Sequence, residues 1–205
     1  MEQREPVRQE EYLGVGGLLW EMAKVFLLAV VIIIPVRVFL FQPFFVQGSS
    51  MEPNFVDGEY LVISEFGYKE TRLGSRGEGK ILMDDFRDLG RQEPIVFRYP
   101  KNPDQYFIKR IIGLPGESVE IKDNRIILTN EEHPEGFVLD ESAYLRQVPS
   151  MQDMAKLALG EDEYFVMGDN RMFSYDSRGF GAVKQKFIVG RVLLRAWPLE
   201  RSAFY

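Results

Sequence analysis

Cysteine is absent from the chain, and its one histidine, His133, sits in the acidic run Glu131-Glu132-His133-Pro134-Glu135-Gly136. Thiol nucleophiles, disulfides, cysteine-ligated metals and a His-rich metal cluster are excluded together. Nucleophilic chemistry must then run on Ser, Thr, Lys or carboxylates, and a serine nucleophile needs a base. His133, in a solvated acidic turn, is a poor one. A lysine is the remaining choice, since Ser-Lys pairs are a variant of triad logic. To serve, the amine must fall from its usual ~10.4 to near neutrality, which costs roughly 4 kcal/mol and requires apolar burial.

Three clusters supply the residue types. The first, Gly48-Ser49-Ser50-Met51-Glu52-Pro53, reads locally as a linker before a turn sooner than as a nucleophile. The second is Tyr106-Phe107-Ile108-Lys109-Arg110-Ile111-Ile112, with the best-placed of the nine lysines. Strand alternation puts Phe107, Lys109 and Ile111 on one face. If that face points inward the amine is desolvated; if outward, Lys109 is an ordinary solvated residue. The third runs from Gly168-Asp169-Asn170-Arg171 through Ser174, Asp176, Ser177 and Arg178. It is either a polar turn or a hydrogen-bonded brace, with Asp accepting from guanidinium.

Two patterns are set aside. Gly74-Ser75-Arg76-Gly77-Glu78-Gly79-Lys80 has phosphate-loop spacing, but Ile81 stands where the magnesium-holding hydroxyl belongs. Asp84-Asp85 and Asp88 read as a solvated acidic face.

The positioning elements follow from composition. The 205 residues carry 25 Lys and Arg against 31 Asp and Glu, and the net charge of −6 opposes nucleic-acid binding. The apolar segment Leu18–Phe41 would span roughly 36 Å as a helix, enough for a ~30 Å hydrocarbon core. Trp20 suits an interfacial belt, Lys24 and Arg37 can snorkel, and Pro35 is expected to kink the last turns. No small-residue cleavage pattern follows it, and no polar face marks it as a buried core helix. We expect a short tail over 1–17, a transmembrane anchor over 18–42, and a mainly antiparallel β domain over 43–205 with an insertion at about 122–160. Charge gives little orientation, because Arg4, Arg8 and Lys24 share the N-terminal flank with five Glu. Strands are expected at Tyr60–Ile63, Ile95–Tyr99, Tyr106–Ile112, Ser118–Ile121, Arg125–Leu128, Tyr164–Met167 and Phe187–Ala196. Asp123-Asn124 is expected to turn a hairpin, Ser150–Leu159 to be helical, and Lys69–Arg91 to be a loop.

The three clusters, in this order behind an N-terminal anchor, resemble the type I signal peptidases, the bacterial leader peptidases. The serine motif matches Ser50-Met51-Glu52-Pro53, preceded by Arg37–Phe44. The lysine motif matches Phe107–Gly116, and the third matches Gly168–Arg171 with Ser174, Asp176, Ser177 and Arg178. Gly190-Arg191-Val192 and Trp197-Pro198-Leu199 are similar too.

The resemblance implies a membrane-bound serine endopeptidase that removes signal peptides from exported preproteins through a Ser/Lys dyad and an acyl-enzyme. Ser50 would be the nucleophile and Lys109 the general base, with activity falling below about pH 7. Ser174 would hydrogen-bond and orient the amine, and Asp176, Arg178 and Asp169 would brace it. The oxyanion hole would use the Ser50 N–H with another main-chain donor at Gly48. Phe44, Val46, Phe55, Phe107 and Ile108 would line shallow pockets for small residues before the cut, the substrate lying extended against an edge strand. No metal or organic cofactor is implied. The implied partners are signal peptides, the lipid bilayer and the export machinery. The implied location is the cell (inner) membrane, single-pass, with the catalytic domain on the extracytoplasmic side.

The sequence also departs from the family pattern. Gly48 stands where some members carry a serine, Met172 and Phe173 where polar residues are usual, Asn54 for a common Thr, and Gln92-Glu93-Pro94 for a Gly-Asp pair. The departures at Gly48 and Met172 motivate an alternative, a catalytically silent, membrane-tethered peptide-binding or assembly factor. The related self-cleaving Ser/Lys repressors are disfavoured by the anchor.

Overall fold

The computed structural model describes residues 14–39, 41–65, 67–68, 88–147 and 149–205. The tail over 1–13, most of the expected loop over Lys69–Arg91, the phosphate-loop-like run and Asp84-Asp85 lie outside the described residues. The chain divides into two units, Met1–Phe39 and Leu40–Tyr205.

The first unit is helix α1, Val15–Phe39, which starts and ends about three residues earlier than the expected anchor and continues past Pro35. Its segment Val15–Ile33 is long and apolar enough to cross a membrane. The apolar side chains Leu18, Trp20, Val25, Phe26 and Ile32 are exposed rather than packed. Lys24 donates to Glu21 at 2.6 Å, one turn back, so the two charges in this segment compensate each other.

The second unit is built on two antiparallel sheets. In chain order its strands are β1 (Phe41–Phe45), β2 (Tyr60–Ser64), β3 (Pro94–Tyr99), β4 (Asn102–Gly113), β5 (Ser118–Lys122), β6 (Arg125–Thr129), β7 (Phe137–Val138), β8 (Met154–Ala158), β9 (Glu163–Met167), β10 (Val183–Lys184), β11 (Ile188–Trp197) and β12 (Ala203–Phe204). The larger sheet has the order β1-β2-β11-β3-β4-β9-β10, with β12 on β11, and the smaller one β7-β6-β5-β8. Strands form where Val, Ile, Phe and Tyr alternate across a half-buried surface. Hairpin β5–β6 turns at Asp123 and Asn124, both at positive φ, a geometry that Asn and Asp tolerate.

Ile112, Phe165 and Met167 of the larger sheet pack with Val119, Ile121, Ile126 and Leu128 of the smaller one, which joins the two. Each fully buried side chain of this size stabilises the unit by roughly 2 kcal/mol. Ile95, Phe97, Ile111 and Val166 fill a second cluster, and Val46, Met51, Phe55, Leu61 and Val192 a third.

The helix expected over Ser150–Leu159 is instead the edge strand β8, paired with β5. A register shift between Val119 and Ile121 puts only Met154 and Leu157 against the core, a spacing of three that imitates a helical face.

Candidate active site

The cleft of about 720 Å³ that holds Ser50 and Lys109 is walled by β1 and the chain after it on one side and by Asp104–Lys109 of β4 on the other. Ser50 lies on a turn that β1 delivers. Gly48, at φ +86, starts the turn in a conformation that side chains rarely adopt, and its N–H donates to Asp57 Oδ1 at 2.7 Å. That bond engages the amide expected to serve the oxyanion hole and turns it toward the Asp57 carboxylate. The N–H of Ser50 itself makes no hydrogen bond among the described residues. On the far side of the turn, Asn170 donates its N–H to the Ser50 carbonyl and its side-chain amide to the Ser49 carbonyl, both at 3.0 Å.

Lys109 faces inward. It sits opposite Ile95 in the β3–β4 register, only 4% exposed. Its Nζ lies 2.6 Å from Ser50 Oγ and 2.8 Å from the Ile108 carbonyl, and 5.4 Å from the centre of the Phe107 ring. Burial lowers the amine to about 8, and the carboxylates of Asp176 and Asp169 keep it from falling further. A substantial neutral fraction at physiological pH, in contact with a hydroxyl, can take a proton from that hydroxyl.

The third cluster is a brace. Asp169, buried, accepts from Arg110 Nε at 2.8 Å and Nη2 at 2.6 Å, and from Asn54 Nδ2 at 2.8 Å. Asp176, also buried, accepts from Gly168 N–H at 3.0 Å and from Arg178 Nε and Nη2, both at 2.8 Å. Arg178 reaches on to the Arg171 carbonyl at 2.8 Å. Each interior charge is thus paired and hydrogen-bonded, the condition under which burial is tolerated.

Two expected roles come out differently. Ser174 Oγ is buried but finds no hydrogen-bond partner among the described residues, so the expected bond to Lys109 is not formed. The amine's contacts go to Ser50 and the Ile108 carbonyl, and Ser174 rests over Gly168, where an added Cβ would come within 2.2 Å of its Oγ. Phe55, expected in a substrate pocket, is fully buried instead and packs on Tyr205 with ring centres 4.8 Å apart. The turn after Ser50 carries it down into the core. Phe44, Val46, Phe107 and Ile108 line the cleft.

Sequence reasoning passed over Glu141 and Tyr144. The Glu141 carboxylate accepts from Arg171 Nη1 at 3.0 Å and also from Nη2, and Tyr144 donates to it. The Tyr144 carbonyl accepts from Asn54 at 2.8 Å. The segment between β7 and β8 therefore clamps the brace. No local pattern marks these residues, since Asn54 and Tyr144 are 90 positions apart. Among the described residues, no group of three or more His, Asp or Glu side chains is placed to hold a metal ion.

The comparisons with known proteins agree with this architecture. A family model described as signal peptidase, peptidase S26, matches residues 19–197. A signal peptidase I P of Bacillus subtilis subsp. natto is 33% identical over 181 residues, 87% of this chain and 89% of the relative. A signal peptidase I of Bacillus licheniformis is 34% identical over 186 residues, 89% and 90% of the two chains. A signal peptidase IB of Staphylococcus aureus (strain MRSA252) is 30% identical over 187 residues, 86% and 88%. The crystal structure of a signal peptidase I from Enterococcus faecalis V583 has 36% sequence identity, a TM-score of 0.42, and coverage of 51% of this chain and 97% of that one. The chain belongs to the signal peptidase family, peptidase S26.

Proposed function

We propose that Ser50 and Lys109 are the nucleophile and general base with which this serine endopeptidase removes signal peptides from preproteins. The observation that carries the assignment is the 2.6 Å approach of a buried amine to the Ser50 hydroxyl.

The neutral Lys109 amine takes the Ser50 proton as Oγ attacks the carbonyl of the residue before the cut. The Ser50 N–H meets the negative charge that develops on that oxygen, a contact worth about 3 kcal/mol in comparable sites. Protonated Lys109 then gives its proton to the departing amine nitrogen, and the signal peptide stays as an ester on Oγ. Water, deprotonated by the same amine, hydrolyses the ester and restores the hydroxyl. Phe44, Val46 and Ile108 supply the apolar wall that would take small residues before the cut. Asp169, Asp176 and Arg178 hold the turn that supports Ser50.

The apolar α1 and the signal peptidase I relatives mark a membrane-anchored protein. The finer reading is a single pass through the cell membrane, the catalytic unit on the extracytoplasmic side, beside the lipid bilayer and the export machinery that delivers its substrates.

The test is cleavage of one purified preprotein, with mass spectrometry locating the cut. The wild type should cut once, after a small residue, whereas Ser50→Ala and Lys109→Met should leave the preprotein whole at unchanged melting temperature or higher. Near-normal turnover by either variant overturns the dyad.

A further inference from the structure

Phe173 is 73% exposed and Tyr175 52%, and Met172, next to Phe173 in the chain, is 66% exposed. Phe173 and Tyr175 line the same cleft as Ser50 and Lys109. Large apolar side chains left open on the wall of a substrate cleft are surface that a ligand can cover.

Their support is not a loose loop. Tyr99 stacks on Phe107 with ring centres 4.9 Å apart and planes at 15°, and its hydroxyl lies 3.3 Å from that of Tyr175. Tyr175 also packs edge-on against Phe180 at 5.4 Å. Tyr175 is therefore held from two sides, while the Phe173 ring touches no other ring among the described residues.

Strand geometry says which substrate residue meets this wall. β9 pairs with β4 only from Arg110 to Gly113, so the β4 edge opposite β3 is unpaired before Arg110 among the described residues. A peptide segment that precedes the cut can pair there as an added strand, ending at Ser50. Successive side chains of that segment point to opposite faces. Ile108 belongs to one face, packed with Val46, Leu61, Val96 and Phe44. Phe107 and Lys109 belong to the other, the side on which Tyr99 and Tyr175 gather. A register that sets the first and third residues before the cut against the Ile108 wall sets the second against Phe107, Tyr175 and Phe173.

We infer that Phe173 and Tyr175 form an aromatic lip on the cleft that selects an apolar side chain, such as leucine or phenylalanine, at the second substrate residue before the cut. The inference rests on the peptidase reading above and adds to it a second point of selection, distinct from the small-residue pocket on the Ile108 side.

Two peptides spanning one cleavage site, identical except for Leu or Ser at that second position, test it with the full chain in detergent micelles. The wild type should prefer the leucine peptide by about tenfold in kcat/KM, the discrimination one apolar contact commonly gives. Phe173→Asn should bring the ratio near one, mainly through KM, and Phe173→Leu should keep most of it. Equal ratios in wild type and Phe173→Asn overturn the lip. A Phe173→Asn defect confined to enzyme and substrate in lipid vesicles, with the micellar ratio unchanged, also overturns it and makes the patch a membrane contact. If the wild type cuts neither peptide, nor any preprotein, the peptidase reading itself falls and the lip falls with it.

Discussion

Arg110 and Asp169 form a two-point hydrogen-bonded pair, Nε to Oδ1 at 2.8 Å and Nη2 to Oδ2 at 2.6 Å, between the strand that carries Lys109 and the turn that supports Ser50. Both side chains are nearly out of solvent, at 7% and 0% exposure. Asn54, four residues after Ser50, joins the same carboxylate at 2.8 Å. The two halves of the proposed dyad are thus fixed to each other through one aspartate.

Asp169→Ala leaves the Arg110 guanidinium buried without its partner. The expected loss is about 3–5 kcal/mol, a melting temperature lower by roughly 10 °C in a unit of this size. Thermal unfolding followed by circular dichroism reads it directly. An unchanged melting temperature would show that the pair does not hold the site together.

Gly168 is where the brace and the serine turn come closest. A Cβ there would lie 2.4 Å from the Ser50 carbonyl oxygen and 2.2 Å from Ser174 Oγ. Gly168→Ala must push the two segments apart, costing about 1–3 kcal/mol in stability. A displacement of about 1 Å at the nucleophile lowers kcat about 100-fold. Steady-state cleavage at a temperature where the variant is fully folded separates the two effects, and wild-type kcat there would contradict the close approach.

The buried amine also makes a prediction about stability. Lys109 is lowered from 10.5 to about 8 in the folded chain, chiefly by burial. The unfolded chain then binds more protons than the folded one between those values, so stability rises with pH across that interval. Below about pH 8 the full penalty is present, on the order of 3 kcal/mol, and above ~10.5 it is gone. Lys109→Met should therefore be more stable than wild type at pH 7, and the advantage should shrink as pH rises toward 10. Denaturant unfolding at several pH values measures it; a variant less stable at pH 7 would mean the amine is not held in an apolar setting.

Much of this was legible in the sequence because the deciding signals are local. Phe107, Lys109 and Ile111 fall on one face by simple alternation, and the structure turns that face inward against Ile95. The expected strands formed with their ends shifted by a few residues, because burial and alternation coincide in them. β1 was hidden, since Gln42-Pro43 inside Phe41–Phe45 reads as the end of the apolar segment rather than as the middle of a strand. β8 was misread because its bulge exposes a three-residue spacing. Phe55 was misassigned because nearness to Ser50 in the chain says nothing about which way a turn carries a ring. The clamp was out of reach for a different reason: Arg171 and Glu141 are 30 positions apart, and only the folded sheets bring them together.

The dependence of kcat/KM on pH, measured on one preprotein peptide from pH 5 to 10, tests the central claim most directly. A lysine lowered to about 8 that must be neutral to accept the Ser50 proton predicts a rate that rises about tenfold per pH unit below that value and levels off above it. A profile flat from pH 5 to 9, or one that rises only near 10, would contradict Lys109 as the base.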